Sequence, residues 1–144
     1  MSVSASPHLQ HRQAVCEVAG VVLLRRDGAA LLQLREERPG LSDAGNWVFP
    51  GGHRDRDESI EECARREFLE ETTYRCHQLN FLIDFASEAE GKPRHFSFFW
   101  DRFDEKQSLR CLEGVALQFV ARDKCPPNTP EYLQRVWDLA LAAA

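Results

Sequence analysis

The segment from Ser59 to Thr72 restricts this chain most, because it reads as a helix with acids where apolar residues belong. Ser59 with Glu62 three residues on is a capping box, and the helical pattern runs to about Thr72. At ~100° per residue, Ile60, Cys63, Ala64 and Phe68 fall within one arc of roughly 140°, the face expected to be buried. Glu67 and Glu71 project into the middle of that arc and Glu70 lies at its edge. A buried carboxylate is costly without a partner, and carboxylates at i, i+3 and i+4 repel one another. A divalent cation would turn that repulsion into shared ligation, and hard oxygen donors at this spacing suit Mg²⁺ or Mn²⁺. The alternative is a solvated acidic face, with Glu67 and Glu71 paired to Arg66 and Arg65. Helix geometry alone leaves it open, because Leu69 projects outward and the amphipathicity is imperfect.

The rest of the chain supplies a frame for that helix. Val15 to Arg25 is apolar and β-branched and reads as a strand, Asp27-Gly28 as a turn, and Ala30 to Arg35 as a second strand. Glu36 to Asn46, with Pro39, Gly40, Asp43 and Gly45, reads as a long loop, a common place for function. Trp47-Val48-Phe49 is a short apolar run ended by Pro50-Gly51-Gly52. Beyond the helix, Cys76 to Ser87 and Arg94 to Asp104 read as strands joined by a turn at Glu90-Gly91-Lys92-Pro93, and Val115 to Ala121 as another strand. Asn128-Thr129-Pro130-Glu131 offers a cap with Pro at the first helical position, for a helix reaching about Ala142. Strands, helix, strands, helix imply an α+β or α/β sandwich with a mixed sheet.

With 144 residues, one domain is expected, here 14–144 behind a flexible tail at 1–13. No apolar run reaches the ~18 residues of a membrane span, and none in the first residues suggests a secretory signal. A net charge of −5 disfavours a nucleic-acid polymer as main partner and favours binding phosphates through a metal ion. Cys16, Cys63, Cys76, Cys111 and Cys125 are odd in number and irregular in spacing. They read as free thiols in a reducing, cytoplasmic setting, and not as a zinc site.

The flanks of the acidic helix narrow the reading. Gly52, then Glu58, then Arg66-Glu67-Phe68-Leu69-Glu70-Glu71-Thr72-Thr73-Tyr74 spell G-x5-E-x7-R-E-U-x-E-E-x-G-U, where U is bulky and apolar. This resembles the signature of the Nudix hydrolases of the MutT type, and the lead-in Trp47 to Gly52 resembles that family too. One position departs: Thr73 stands where the family has Gly. That Gly ends the helix in a left-handed turn, so a Thr there implies strain or another termination.

The resemblance implies an α+β fold of the Nudix type, an α/β/α sandwich around a central mixed sheet. It implies a Mg²⁺- or Mn²⁺-dependent pyrophosphohydrolase cleaving a nucleoside diphosphate linked to X. Glu70 and Glu71 would be metal ligands, Glu67 a ligand or the base that activates water, and the Gly51 carbonyl a further ligand. Glu58 and Arg66 would form an ion pair that orients the helix. Outside the signature, Glu113 before the last strand resembles an additional metal-ligating carboxylate, Arg35 a phosphate contact, and Asn128 a purine contact. His53, directly after Gly-Gly, could face phosphate or equally solvent; His95 sits among Phe96, Phe98, Phe99 and Trp100, where a structural role is the better default. Oxidised or canonical nucleoside triphosphates are the favoured substrates, nucleotide sugars the alternative, and a non-catalytic nucleotide-binding module the alternative of another class. A homodimer is compatible with the family, and the stripe Leu133, Val136, Trp137, Leu139, Leu141 is expected to be core or a dimer contact.

Overall fold

The computed structural model describes residues 15–41, 43–89 and 91–144. The tail expected at 1–13 lies outside the described residues. Among the described residues seven strands form one sheet: β1 (Cys16–Leu24), β2 (Ala30–Leu34), β3 (Trp47–Val48), β4 (Gly51–His53), β5 (Asn80–Ala89), β6 (Lys92–Arg102) and β7 (Ala116–Val120). With them among these residues stand two α-helices, α1 (Ile60–Thr72) and α2 (Glu131–Ala143), and a short 3-10 turn at Arg122–Lys124. The main path runs β3-β2-β1-β6-β5, with β4 added to β1 and β7 to β2. Only β1 and β6 run parallel among the described pairs, so the sheet is mixed and the fold α+β, as expected.

β1 explains why its sequence is apolar almost throughout. A strand covered on both faces cannot alternate apolar with polar. Ala19, Val21 and Leu23 face α1, with Cys63, Ala64, Phe68 and Tyr74. Val22 and Leu24 face α2, with Leu133, Val136, Trp137 and Ala140. The C-terminal stripe is therefore core, although Leu139 remains 42% exposed. No helix among the described residues is long and apolar enough to cross a membrane.

Beyond shifts of one or two residues at strand ends, the elements differ from the sequence reading in four places. The strand expected from Cys76 begins at Asn80, because Arg65 holds the carbonyl of Cys76 and Asp101 the amide of His77. Lys92 and Pro93, read as turn, belong to β6, where Pro93 lies opposite Glu88. Gly51 and Gly52, read as the end of an apolar run, form β4 against Ala19 and Gly20. Pro130 is the N-cap of α2 and not its first helical residue; its carbonyl accepts from Leu133 and Gln134.

The capping box on α1 is present as read: Ser59 Oγ accepts from Glu62 N, and the Glu62 carboxylate accepts from Ser59 N. At the other end Thr73 keeps the left-handed conformation, with φ 64° and ψ 5°, and its amide donates to Leu69 O. Its hydroxyl donates to Ser108 O at 3.3 Å. A β-branched residue in this region is strained by about 1–2 kcal/mol. Thr73→Gly is expected to stabilise the fold by about 1 kcal/mol in urea unfolding, after the entropy of a more flexible unfolded chain is subtracted. Unchanged or lower stability would show that the Ser108 bond outweighs the strain.

Candidate active site

The acids of α1 sit where β4, the helix and the loop before β7 converge. Glu71 is 3% exposed, a carboxylate inside the fold. Its Oε1 accepts from Gly51 N and from Gln33 Nε2, each at 3.2 Å. Desolvation, the nearby Glu113 and Glu67 charges, and a hydrogen bond with Glu67 together push its pKa up to about 8. The Glu67 carboxyl is also raised, chiefly by burial. A folded pKa above the 4.5 of a free glutamate means the folded chain keeps a proton that the unfolded chain releases. Without metal, the associated stability is full below about pH 4.5 and is lost as the pH climbs to about 8. Urea midpoints measured with a chelator should fall across that window, and Glu71→Gln should remove that part of the slope. Identical slopes in both proteins would contradict the assignment.

Arg66 organises the remaining acids. Its Nε and Nη2 donate to the two Glu58 oxygens at 2.9 and 2.8 Å. Nη2 also donates to His53 O at 3.1 Å, and Nη1 bridges Glu67 Oε2 at 3.1 Å and Glu70 Oε1 at 3.2 Å. The paired Arg66 holds Glu58 down to about 2, helped by the Asp55 amide. Glu58 and Arg66 thus meet as the resemblance implies. The alternative reading is half realised: Arg66 reaches Glu67 and Glu70, while Arg65 turns to Glu61 and to the carbonyls of Cys76 and His77.

Close approach of β4 to the helix carboxylates at Gly52 and to the β1 backbone at Gly51 requires the two glycines. A Cβ on Gly52 would lie 2.3 Å from the Glu67 carboxyl carbon, and one on Gly51 2.0 Å from Ala19 O. The loop after β6 docks on the helix end, where Arg110 N donates to Thr72 O and Leu112 N to Glu71 O, each at 3.0 Å. That docking brings Glu113 near Glu71.

These groups form one end of a cleft of about 420 Å³. Glu67, Glu70, Glu71 and Glu113 line its acidic end, with Gly51, Gly52 and His53 beside them. Arg35 and Arg94 supply positive charge, and Val48, Phe49, Phe96, Phe98, Tyr132 and Leu133 supply apolar wall. Asp43, on the long loop, also lines the cleft and accepts from the Tyr132 hydroxyl at 3.2 Å.

One expected site residue, Asn128, stands apart, as does His95, for which a structural role is the default. Asn128 is not among the residues lining the cleft; its side-chain amide donates to Gly45 O at 2.8 Å and its backbone carbonyl accepts from Trp47 N, so it clamps the long loop. His95 lies 3.8 Å from Asp84 across the β5–β6 hairpin and is likewise absent from the lining. Sequence reasoning missed Gln33, which is 1% exposed and also donates to Glu113 O at 3.0 Å. Its signal was a lone amide inside the apolar run Ala30 to Leu34. Asp43 lies on the long loop read as a place for function, whereas Arg94 and Tyr132 carried no local signal, because the sheet and α2 bring them in from distant segments.

The donor set suits a hard divalent cation. A buried carboxylate held by neutral amides, facing further carboxylates, is what such an ion stabilises. Among the described residues no group of three or more His, Cys, Asp or Glu side chains is drawn together closely enough to hold a metal ion as they stand. The carboxylates are therefore neighbours around one end of the cleft, with Arg66 countering Glu67 and Glu70.

Comparison with known proteins agrees with this geometry. Among curated proteins, an RNA pyrophosphohydrolase of Caulobacter vibrioides is 36% identical over 94 residues, covering 61% of this chain and 51% of that protein. The chain thus spans about half the length of this relative. Among solved structures, a MutT NUDIX hydrolase from Burkholderia pseudomallei superposes with a TM-score of 0.76 at 24% identity, covering 86% of this chain and 96% of that one. An Ap4A hydrolase of C. elegans gives 0.76 at 21% identity, covering 90% and 97%. At these identities the superpositions show the fold. The model of the NUDIX domain matches residues 16–133, which contain every strand of the sheet, helix α1 and the whole acidic end of the cleft, and the chain therefore belongs to the NUDIX family.

Proposed function

We propose that this chain hydrolyses a phosphoanhydride bond in a nucleoside diphosphate linked to a further group X, with Mg²⁺ or Mn²⁺ as cofactor. The observation that carries the reading is Glu71: a carboxylate 3% exposed, held by two neutral amides and facing Glu67 and Glu113. Glu67, Glu70 and Glu71, with Glu113 and the Gly51 carbonyl, would hold the ion. When bound, the ion neutralises phosphate charge and lowers the pKa of bound water.

The chain's own groups do the rest. Gly51 N and Gln33 Nε2 fix the Glu71 carboxylate in one orientation. Arg66, braced by Glu58, fixes Glu67 and Glu70 on the same side of the cleft. Glu67, beside Gly52 and less exposed than Glu70, is the group we assign to accept the proton of the attacking water. Arg35, Arg94 and His53 bind phosphate oxygens, and the wall of Phe96, Phe98 and Tyr132 takes the base. Asn128 is engaged with the long loop, so this reading gives it no base contact. Products are a nucleoside monophosphate and phosphorylated X, or pyrophosphate from a triphosphate.

Glu113 at the acidic end favours oxidised or canonical nucleoside triphosphates. Nucleotide sugars remain the alternative, through the long loop from Glu36 to Asn46. A second reading, a 5′-triphosphate RNA end, is favoured by the identity to the Caulobacter relative. The test is a panel of oxidised and canonical triphosphates, nucleotide sugars, dinucleoside polyphosphates and triphosphorylated oligoribonucleotide, each with Mg²⁺ and Mn²⁺. Metal-dependent cleavage of at least one of them is expected. Tight binding without cleavage across the panel would favour a non-catalytic binding module.

A further inference from the structure

A second pocket, of about 290 Å³, lies against the acidic end of the cleft. Arg35 and Glu113 line both, so the two hollows join across this pair. Beyond it stand Glu36, Arg38 and Leu41 of the long loop, with Gly114 completing the wall. Backbone hydrogen bonds hold these walls in place. Gly45 N donates to Arg35 O and to Glu36 O, each at 3.2 Å, and Leu41 N donates to Arg38 O at 3.2 Å. Next to Gly114, Val115 N donates to Leu34 O at 2.8 Å, and Gln33 Nε2 donates to Glu113 O at 3.0 Å.

Position and chemistry together restrict what this pocket can take. With the base on the aromatic wall and the phosphates at the acidic end, the group beyond the phosphates reaches Arg35 and Glu113 and enters the second pocket. The described lining carries no aromatic ring, so a second base finds nothing to stack on. Its charges cancel, with the guanidiniums of Arg35 and Arg38 set against the carboxylates of Glu36 and Glu113. They also cancel when Glu113 serves the cation and Arg35 the phosphates. Glu36 and Arg38 then remain, 3.7 Å apart and both more than half exposed. A terminal phosphate meets no net positive charge there. A hydroxyl both donates and accepts, so a group rich in hydroxyls engages carboxylate and guanidinium at once.

We propose that this pocket is the subsite for X, that X is a neutral, hydroxyl-rich sugar, and that Glu36 and Arg38 select it. Glu36 accepts from the sugar hydroxyls, Arg38 donates to them, and Leu41 packs on the carbon face of the ring. Neither charged group reaches the bond that breaks, so both set specificity and not the chemistry. The subsite rests on the pyrophosphohydrolase reading above. Within that reading Glu113 speaks for a triphosphate, whereas the second pocket speaks for the nucleotide sugar.

The test compares ADP-glucose, GDP-mannose and UDP-glucose with ATP, GTP and UTP, and with diadenosine triphosphate, all with Mg²⁺. For the best base, the sugar conjugate should exceed the matched triphosphate in kcat/KM by about tenfold, the worth of about one charge-assisted hydrogen bond. Glu36→Ala and Arg38→Ala should each raise KM for the sugar conjugate about tenfold at unchanged kcat, and leave the triphosphate within about twofold. Preference for the triphosphate with every base, preference for the dinucleotide, or equal losses on both substrates in the variants overturns the subsite. A wild-type chain that cleaves none of these refutes the hydrolase reading, and calorimetric titration of that chain in Mg²⁺ then decides the pocket separately. Tighter binding of the sugar conjugate than of the bare nucleoside diphosphate, lost in Glu36→Ala, supports it; equal binding overturns it.

Discussion

Glu71→Gln is expected to lower turnover by about 10³-fold while the protein folds as well as wild type. Glutamine matches the shape of the side chain and keeps an oxygen for Gly51 N and Gln33 Nε2, so the local hydrogen bonds survive. It removes the charge a cation would bind, and it also removes the cost of burying that charge when no cation is there. Single-turnover hydrolysis of the best panel substrate and the thermal midpoint in chelator check the two halves. Near wild-type turnover with Mg²⁺ would show that Glu71 is a structural acid and that the reaction centre lies elsewhere.

The glycines of β4 should separate fold from function. Gly51→Ala drives a Cβ to 2.0 Å from Ala19 O and 2.7 Å from Gly20 Cα, both backbone atoms that the β1–β4 pairing holds in place. A loss of about 3 kcal/mol or more is expected in urea unfolding, at the upper end of overpacking and strain. The three atoms nearest a Cβ on Gly52 all belong to the Glu67 carboxylate, a side-chain end that can shift at the cost of its Arg66 bond. The fold should survive with about 1 kcal/mol lost, while displacement of Glu67 lowers turnover about 10²-fold. Equal effects of the two substitutions on stability would contradict the assignment of Gly52 to the site and Gly51 to the sheet.

The contrast between these glycines also shows what local patterning could and could not convey. Helix α1, its capping box and the inward direction of Glu67 and Glu71 were legible, because they follow from a period of ~3.6 residues within one segment. The left-handed end at Thr73 was legible as a conflict between residue and conformation. The β4 pairing was not, since Gly51 and Gly52 have no side chains to alternate and are specified by Gly20 and Ala19, some thirty residues earlier. Arg94 and Tyr132 reach the cleft, and Gln33 reaches Glu71 beside it, only because β6, α2 and β2 converge there. Asn128 resembles a purine contact, with a cap or turn role the alternative; its side-chain amide donates to Gly45 O, a partner 83 residues away that no local pattern could name.

The most direct measurement is a calorimetric titration of Mn²⁺ into the metal-free chain, repeated with Glu71→Gln and with Glu61→Gln, whose exposed carboxylate pairs with Arg65 outside the cleft. A binding event in wild type that persists in Glu61→Gln and disappears in Glu71→Gln is the expected result. No binding in wild type, or binding of equal strength in Glu71→Gln, would mean that the inward glutamates of α1 do not share a cation.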